Sequence, residues 1–340
     1  MLYPDLTPAS ARAMPHISHQ HFGETFDGRR PRRENVELLQ ALSTELRKWD
    51  GDVVLISYED FIQQQPRFRV PQILSEFFTA HGFEAEAITA VKPQSELLNS
   101  IYTHRTQMIN ERRTFAEFAP NLAHSGRFDY ATLIQPWIDA FSGRVRAVAV
   151  RDRLSDAPIL MRLLTALELD KRVTPLLRPA DLARVENRSP GPLSVEISRR
   201  LRVMRAHARL SVLPRNLMRF VEREVQDGGY DAERFQGVGP DLRARMAADY
   251  RNTNDRFAQA VWARHWDDIV APEDSSPINE LVVRGISPEA EEMIREISQR
   301  AARQFDIPLR QSVLNRPINR LIESADSALR LLRYSRWRVL

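Results

Sequence analysis

The sequence predicts an α/β fold in which a mostly parallel sheet is flanked by helices and followed by a helical C-terminal portion. Two observations favour this class. Between residues 50 and 170, short apolar runs alternate with amphipathic helical segments, and this alternation is typical of strand–helix–strand units in a parallel sheet. After residue 175 the apolar residues recur with helical spacing.

The elements follow from the local patterns. Residues 1–32 are rich in proline, histidine and arginine, and predict a loop region with one short helix. Short apolar runs without alternation predict buried strands at Asp52–Tyr58, Phe83–Val91 and Arg144–Val150. In the same part of the chain, one-sided apolar spacing predicts helices at 34–49, 70–81, 93–113, 114–123, 129–142 and 155–169. Later helices are predicted at 192–207, 214–226, 239–264, 287–304 and 309–333.

The composition is that of a globular protein, with 340 residues of which 43% are hydrophobic and 28% charged. We expect an α/β core over residues 1–175, a helical completion of the same domain over 176–270, and a C-terminal helical extension over 271–340. The chain contains no cysteine, which excludes disulfides, thiolate zinc sites and cysteine nucleophiles.

The positive charge is carried almost entirely by arginine, since Lys48, Lys92 and Lys171 are the lysines among 49 basic residues. This bias can reflect genome base composition, or it can suit phosphate and sulfate ligands, which guanidinium groups bind through two parallel hydrogen bonds. The basic residues are interleaved with 45 acidic ones, so we expect no nucleic-acid partner. No run approaches the about 18–20 apolar residues of a membrane span, and the N-terminus lacks the pattern of a secretory signal, so we expect a cytoplasmic protein.

Lys92 and Ser100 form the first candidate site. Lys92 ends the second predicted strand, and Ser100 lies eight residues further along, in the helix that follows. Ligands of α/β sheets bind at the carboxyl ends of the strands, where a cation and a helix hydroxyl can converge on one phosphate. The alternative is an ordinary strand-to-helix turn with a surface lysine.

Two further residues are candidate general bases. Glu59 follows the first predicted strand, where a carboxylate can act as a base or can simply cap the next turn. His16, His19 and His21 lie within six residues, and are open to three interpretations: a metal site, a base at an acceptor site, or a polar loop. The chain offers no cysteine ligand, so we expect no metal cofactor.

Several stretches together resemble the bacterial branch of the sulfotransferase family, whose members use 3′-phosphoadenosine 5′-phosphosulfate as donor. In that family a basic residue at a strand end and a serine eight residues later bind the donor's 3′-phosphate, and Lys92 and Ser100 match this spacing, with lysine in place of the usual arginine. Further stretches are similar to family segments, namely Leu2-Tyr3-Pro4 before the histidines, 55–61, 127–150 and 249–257. The resemblance covers roughly residues 2–268, and implies a P-loop nucleoside triphosphate hydrolase-like sulfotransferase fold, with His19 or Glu59 as catalytic base.

The family's phosphosulfate-binding loop, of the type Gly-Thr-x-Lys-Thr-Gly-Thr-Thr, does not occur in the chain. The resemblance begins at Leu2, where the family would already have completed its first strand, that loop and its first helix. A mis-assigned start codon, a truncated gene or a divergent non-catalytic member would each explain this. We expect the chain either to be marginally stable or to replace the missing strand with another segment or subunit.

The resemblance implies transfer of a sulfuryl group from the donor to a hydroxyl or amine of a carbohydrate or small molecule. Two alternatives remain: a truncated or degenerate homologue that acts as an interaction protein, and a glycosyltransferase. The C-terminal stretch 310–340 is basic and carries an apolar face, so it is expected to dock on the domain or form a homodimer, with binding to an anionic membrane surface as the alternative.

Overall fold

The computed structural model describes residues 1–2, 4–6, 19–26, 32–63, 68–178, 180, 189–205, 214–272, 277–279, 281 and 285–305. These residues form a mostly helical protein with a small parallel sheet. They divide into two compact units, each assembled from separate stretches of chain. Unit 1 comprises Met1–Ile101, Phe115–Arg188 and Gln236–Ile278, and unit 2 comprises Tyr102–Thr114, Ser189–Phe235 and Asn279–Leu340. The domain boundaries predicted at 175 and 270 stay predictions.

The helices appear in the order that the sequence predicts, although most are shorter. In unit 1 they are α1 (Gln20–Phe26), α2 (Arg32–Lys48), α3 (Val70–Ala80), α4 (Gln94–Gln107), α5 (Phe115–Ala123), α6 (Tyr130–Ala140), α7 (Ile159–Ala166) and α8 (Asp170–Val173); α4 continues into unit 2 after Ile101. The later helices are α9 (Pro192–Arg205), α10 (Pro214–Asp227), α11 (Pro240–Trp262), α12 (Trp266–Ile269) and α13 (Pro288–Gln304). The helix predicted at 309–333 lies outside the described residues.

The sheet pairs β1 (Ala87–Val91) in parallel with β2 (Val145–Ala149), in a register that sets Ala87 opposite Val145 and Val91 opposite Ala149. These strands confirm that the sheet is parallel, and the structure pairs the second apolar run with the third. The second run is predicted to begin at Phe83, but β1 begins at Ala87 because its partner strand begins at Val145, directly after the turn at Gly143.

The strand predicted at Asp52–Tyr58 is wrong: among the described residues, this segment makes one isolated parallel bridge, between Val54 and Leu2. Its backbone groups find other partners. Leu2 exchanges hydrogen bonds with Val53 and Leu55, and His19 bonds both backbone groups of Ser57. The apolar residues of this segment are half-buried, and Val54 and Ile56 pack against the unit 1 core. A ladder also needs a neighbouring strand of several residues.

Each unit has its own apolar core. In unit 1, α2, α3, α6 and the sheet pack around Leu42, Val70 and Val91, and a group of aromatic rings belongs to the same core. In that group Tyr130 stacks on Trp266 with ring centroids 5.8 Å apart, and Phe257 contacts both rings. In unit 2, the apolar faces of α9, α10 and α13 enclose a core that includes Ile197, Leu217, Phe220, Ile294 and Ile297.

Candidate functional site

The candidate site lies at the carboxyl end of the two parallel strands. Lys92 directly follows β1, and Arg151 lies two residues beyond β2. Because Val91 and Ala149 are register partners, both cations leave the sheet at the same edge. This is the edge at which open α/β sheets place their ligands.

Lys92 and Ser100 meet at this edge. The Lys92 Nζ donates a hydrogen bond of 2.6 Å to the Ser100 Oγ, and both residues are half-buried. The two side chains therefore converge, and each keeps part of its surface open to solvent. Their role in binding a donor phosphate stays a prediction, but the juxtaposition on which it depends is present.

Glu96 and Arg151 complete what we call the strand-end cluster: Lys92, Glu96, Ser100 and Arg151. Glu96 lies one helical turn before Ser100 on the same face of α4, and its carboxylate forms an ion pair with the Arg151 guanidinium. The side chain of Glu96 is 16% exposed and that of Arg151 is 33% exposed. The cluster carries two positive charges and one negative charge, so it is weakly attractive to an anion.

Tyr130, the first residue of α6, fixes the backbone at Lys92. Its phenol donates a 2.9 Å hydrogen bond to the Lys92 carbonyl oxygen. Burial raises the pKa of Tyr130 well above its ordinary value, and the nearby Glu96 carboxylate adds to this effect. The phenol therefore stays protonated and keeps its donor role at all physiological pH values.

The start of α4 is held by a buried pair of amides. Gln94 and Asn254 of α11 exchange hydrogen bonds through their side chains, at 3.1 Å from the Asn254 Nδ2 to the Gln94 Oε1. Both side chains are nearly inaccessible, and Gln94 also donates to the Phe128 carbonyl oxygen. These contacts fix the direction in which α4 leaves the sheet, and so fix where Ser100 lies relative to Lys92.

His19, the predicted base, is bound to the backbone at both ring nitrogens. The Ser57 N–H donates to its Nδ1 at 2.9 Å, so the proton is on Nε2, which donates to the Pro4 carbonyl oxygen at 2.8 Å. Burial lowers the pKa of His19; the hydrogen bond to the Pro4 carbonyl oxygen and the Asp5 carboxylate oppose this without outweighing it. These are the contacts of a structural histidine, and its catalytic role stays a prediction.

Glu59, the other predicted base, is exposed in the turn that follows the Ser57 segment. The contacts of the strand-end cluster described above do not include it. Of the remaining histidines named as candidates, His21 is buried on α1 and His16 lies outside the described residues. Within the described ranges, no three histidine or carboxylate side chains are grouped so as to hold a metal ion.

Sequence reasoning missed Arg151, Glu96 and the amide pair. Arg151 could have been found by the rule that found Lys92, because it too follows directly on a predicted strand. Glu96 could have been found from its helical spacing to Ser100. The partner of Gln94 could not, since Asn254 is 160 residues away.

Comparison of the chain with protein-family models, with curated proteins and with solved structures found no match in any of the three. Across the part of the chain that the structure describes, no helix combines the length and apolar character needed to cross a membrane.

Proposed function

We propose that this chain is a sulfotransferase-like protein that binds 3′-phosphoadenosine 5′-phosphosulfate, with the nucleotide's 3′-phosphate held by Lys92 and Ser100. The proposal includes a P-loop-type sulfotransferase fold, a hydroxyl or amine acceptor on a carbohydrate or small molecule, and a cytoplasmic location. The observation that carries it is the 2.6 Å contact of the Lys92 ammonium with the Ser100 hydroxyl at the carboxyl end of a parallel strand.

The chemistry of these two groups suits a phosphate. An ammonium carries three N–H donors, and a hydroxyl that accepts from it can still donate its own proton to an oxyanion. Hydrogen bonds between charged groups are about twice as strong as neutral ones. Arg151, one strand further along the same edge, adds a second positive charge, although Glu96 neutralises one of the two.

A second candidate is an interaction protein derived from the same family, without catalysis. The observation that favours it is the placement of His19, whose two ring nitrogens both bond the backbone. A general base needs a nitrogen that reaches the acceptor's proton.

Calorimetric titration with adenosine 3′,5′-bisphosphate and with adenosine 5′-monophosphate tests the proposal. The wild-type chain is expected to bind the bisphosphate more tightly, because only this ligand has the 3′-phosphate. Lys92→Met should weaken bisphosphate binding by about tenfold or more, equivalent to about 1.4 kcal/mol. Ser100→Ala should weaken it less, because it removes a neutral partner. Neither variant should change the affinity for the monophosphate.

Lys48→Met is the matched control, since Lys48 is exposed at the end of α2 and its replacement makes the same change of charge. The chain has three lysines, so ¹³C-methylation of the amines gives few NMR signals, and the Lys92 signal should shift on titration. Equal affinity for the two nucleotides, or equal loss in the Lys48 and Lys92 variants, would overturn the assignment. No binding of either nucleotide would leave the interaction protein as the better description.

A further inference from the structure

Unit 1 contains a second surface feature, separate from the strand-end cluster. A groove of about 540 Å³ lies between the start of α3, one face of α6 and the second half of α11. This volume lies within the range of about 300–1,000 Å³ that small-molecule sites occupy. We call it the α6 groove.

The floor of the α6 groove is apolar. It is formed by Pro71 of α3, Leu133 and Trp137 of α6, and Phe257 and Ala260 of α11. Pro71, Trp137 and Phe257 are buried parts of the unit 1 core, so the floor is built on packed side chains. Because those three residues are already buried, most of the apolar surface left to cover belongs to Leu133, which is half-buried, and Ala260, which is exposed.

The rim of the α6 groove carries two arginines, Arg69 and Arg256, which are both exposed. Within the described ranges, neither guanidinium has a carboxylate or carbonyl partner. The acid that lines the groove, Asp139, already accepts a 2.7 Å hydrogen bond from the Gln135 amide. The rim therefore has an excess of positive charge over an apolar floor.

We propose that the α6 groove binds a small amphiphilic anion, consisting of a flat apolar group with one carboxylate, sulfonate or sulfate. The apolar part would cover Leu133 and Trp137, while Arg69 and Arg256 would hold the oxyanion. Guanidinium groups suit this ligand because their fork of N–H donors matches two oxygens of such an anion. The site uses none of the residues assigned to nucleotide binding, so it stands or fails independently of that function.

Naphthalene-2-sulfonate is a suitable probe, and the neutral naphthalene-2-sulfonamide is its matched control. Titration of the full chain by calorimetry should show binding of one sulfonate per chain, and at least about fivefold weaker binding of the sulfonamide, which corresponds to about 1 kcal/mol.

Two variants locate the oxyanion. Arg69→Gly removes one guanidinium without adding strain, because Arg69 has φ 50°, a value that glycine adopts freely. Arg256→Ala removes the other from an exposed helix face. Each should weaken sulfonate binding about fivefold and leave sulfonamide binding unchanged. Arg245→Ala is the control, since Arg245 is exposed on the same helix outside the groove.

Trp137 locates the apolar group. The chain has five tryptophans, so labelling with 5-fluorotryptophan gives five ¹⁹F signals, of which Trp137→Phe identifies one. The sulfonate should shift the Trp137 signal more than the others. Equal binding of sulfonate and sulfonamide, unchanged affinity in both groove variants, a larger shift at another tryptophan, or no binding of either probe would each overturn the proposal. If Arg69→Gly does not fold, Arg256→Ala alone decides the question.

Discussion

Replacement of His19 tests whether this residue holds the fold or carries out chemistry. The imidazole joins two separate segments through hydrogen bonds to Ser57 and Pro4, and only 3% of the residue is exposed. His19→Leu removes both bonds and leaves both backbone groups without this partner. A hydrogen bond contributes about 0.5–1.5 kcal/mol, and a buried group left unsatisfied costs about 1–3 kcal/mol. We therefore expect a loss of about 2–4 kcal/mol, a large part of the about 5–15 kcal/mol of a typical domain.

Two milder variants each keep one of the two hydrogen bonds of His19. In His19→Asn the amide oxygen can accept from Ser57 at about the position of Nδ1, and in His19→Gln the amide nitrogen can donate to Pro4 at about the position of Nε2. Each should lose less stability than the leucine variant. Urea unfolding followed by tryptophan fluorescence is the assay, since Trp49, Trp137, Trp262 and Trp266 all belong to unit 1.

The pH dependence of stability gives a second readout for His19. Burial lowers its pKa in the folded protein, whereas in the unfolded chain histidine titrates at about 6.5. The unfolded chain therefore binds more protons between these two pKa values, and unfolding becomes easier as the pH falls below about 6.5. The difference in free energy of unfolding between wild type and His19→Leu should shrink from about pH 7.5 to pH 5. A leucine variant of undiminished stability would refute the structural role. A stable asparagine variant that lost only the sulfuryl transfer proposed above would support His19 as a base.

Three further outcomes follow from other contacts. Glu96→Gln removes the negative charge of the strand-end cluster, so calorimetry should show several-fold tighter binding of adenosine 3′,5′-bisphosphate, with the largest gain at low salt; weaker binding would exclude this edge as a phosphate site. Burial acts to raise the pKa of Glu111, but the hydrogen bonds and charge of Arg113 together with the charge of Arg105 outweigh it and hold the pKa below its ordinary value. Stability of unit 2 should thus fall as the pH drops below about 4.5, and this decrease should be smaller in Glu111→Gln; part of it remains because the pKa of Glu291 in the same unit is also lowered, chiefly by its hydrogen bonds to Arg200. Trp262→Phe should cost about 1 kcal/mol in urea unfolding, because it removes a hydrogen bond to the sheet.

The features predicted correctly from sequence are those that depend on neighbours along the chain. Lys92 and Ser100 are eight residues apart, and the geometry of a strand followed by a helix brings them together. The strand at 52–58 was predicted wrongly because an apolar run indicates burial without indicating whether a second strand lies beside it. Among the described residues, this segment contacts Leu2 and the imidazole of His19 where a strand was expected. Both lie elsewhere in the sequence, so the residues of the segment do not indicate them.

Contacts that fix the site over long distances could not be predicted in the same way. The Gln94–Asn254 pair joins residues 160 positions apart, and an amide in either place is equally compatible with an exposed helix surface. In the structure both residues are at least 96% buried. A buried amide without a hydrogen-bond partner would be costly, so each of the two amides depends on the other. The site therefore depends on α11 as much as on the strand that carries Lys92.

The long side of β2 that faces away from β1 is covered by side chains from helices. In the parallel register, the carbonyl groups of Ala147 and Ala149 point away from β1, and an uncovered strand edge would present them to any passing strand. Side chains from helices occupy them instead: the Trp262 indole donates to the Ala147 oxygen at 2.9 Å, and the Arg162 guanidinium donates to the Ala149 oxygen. These donors do the hydrogen bonding that another strand would do at the same edge. Arg151 lies two residues beyond β2. The hydrogen bonds of Trp262 and Arg162 to β2 therefore also help to fix the position of this second cation of the strand-end cluster.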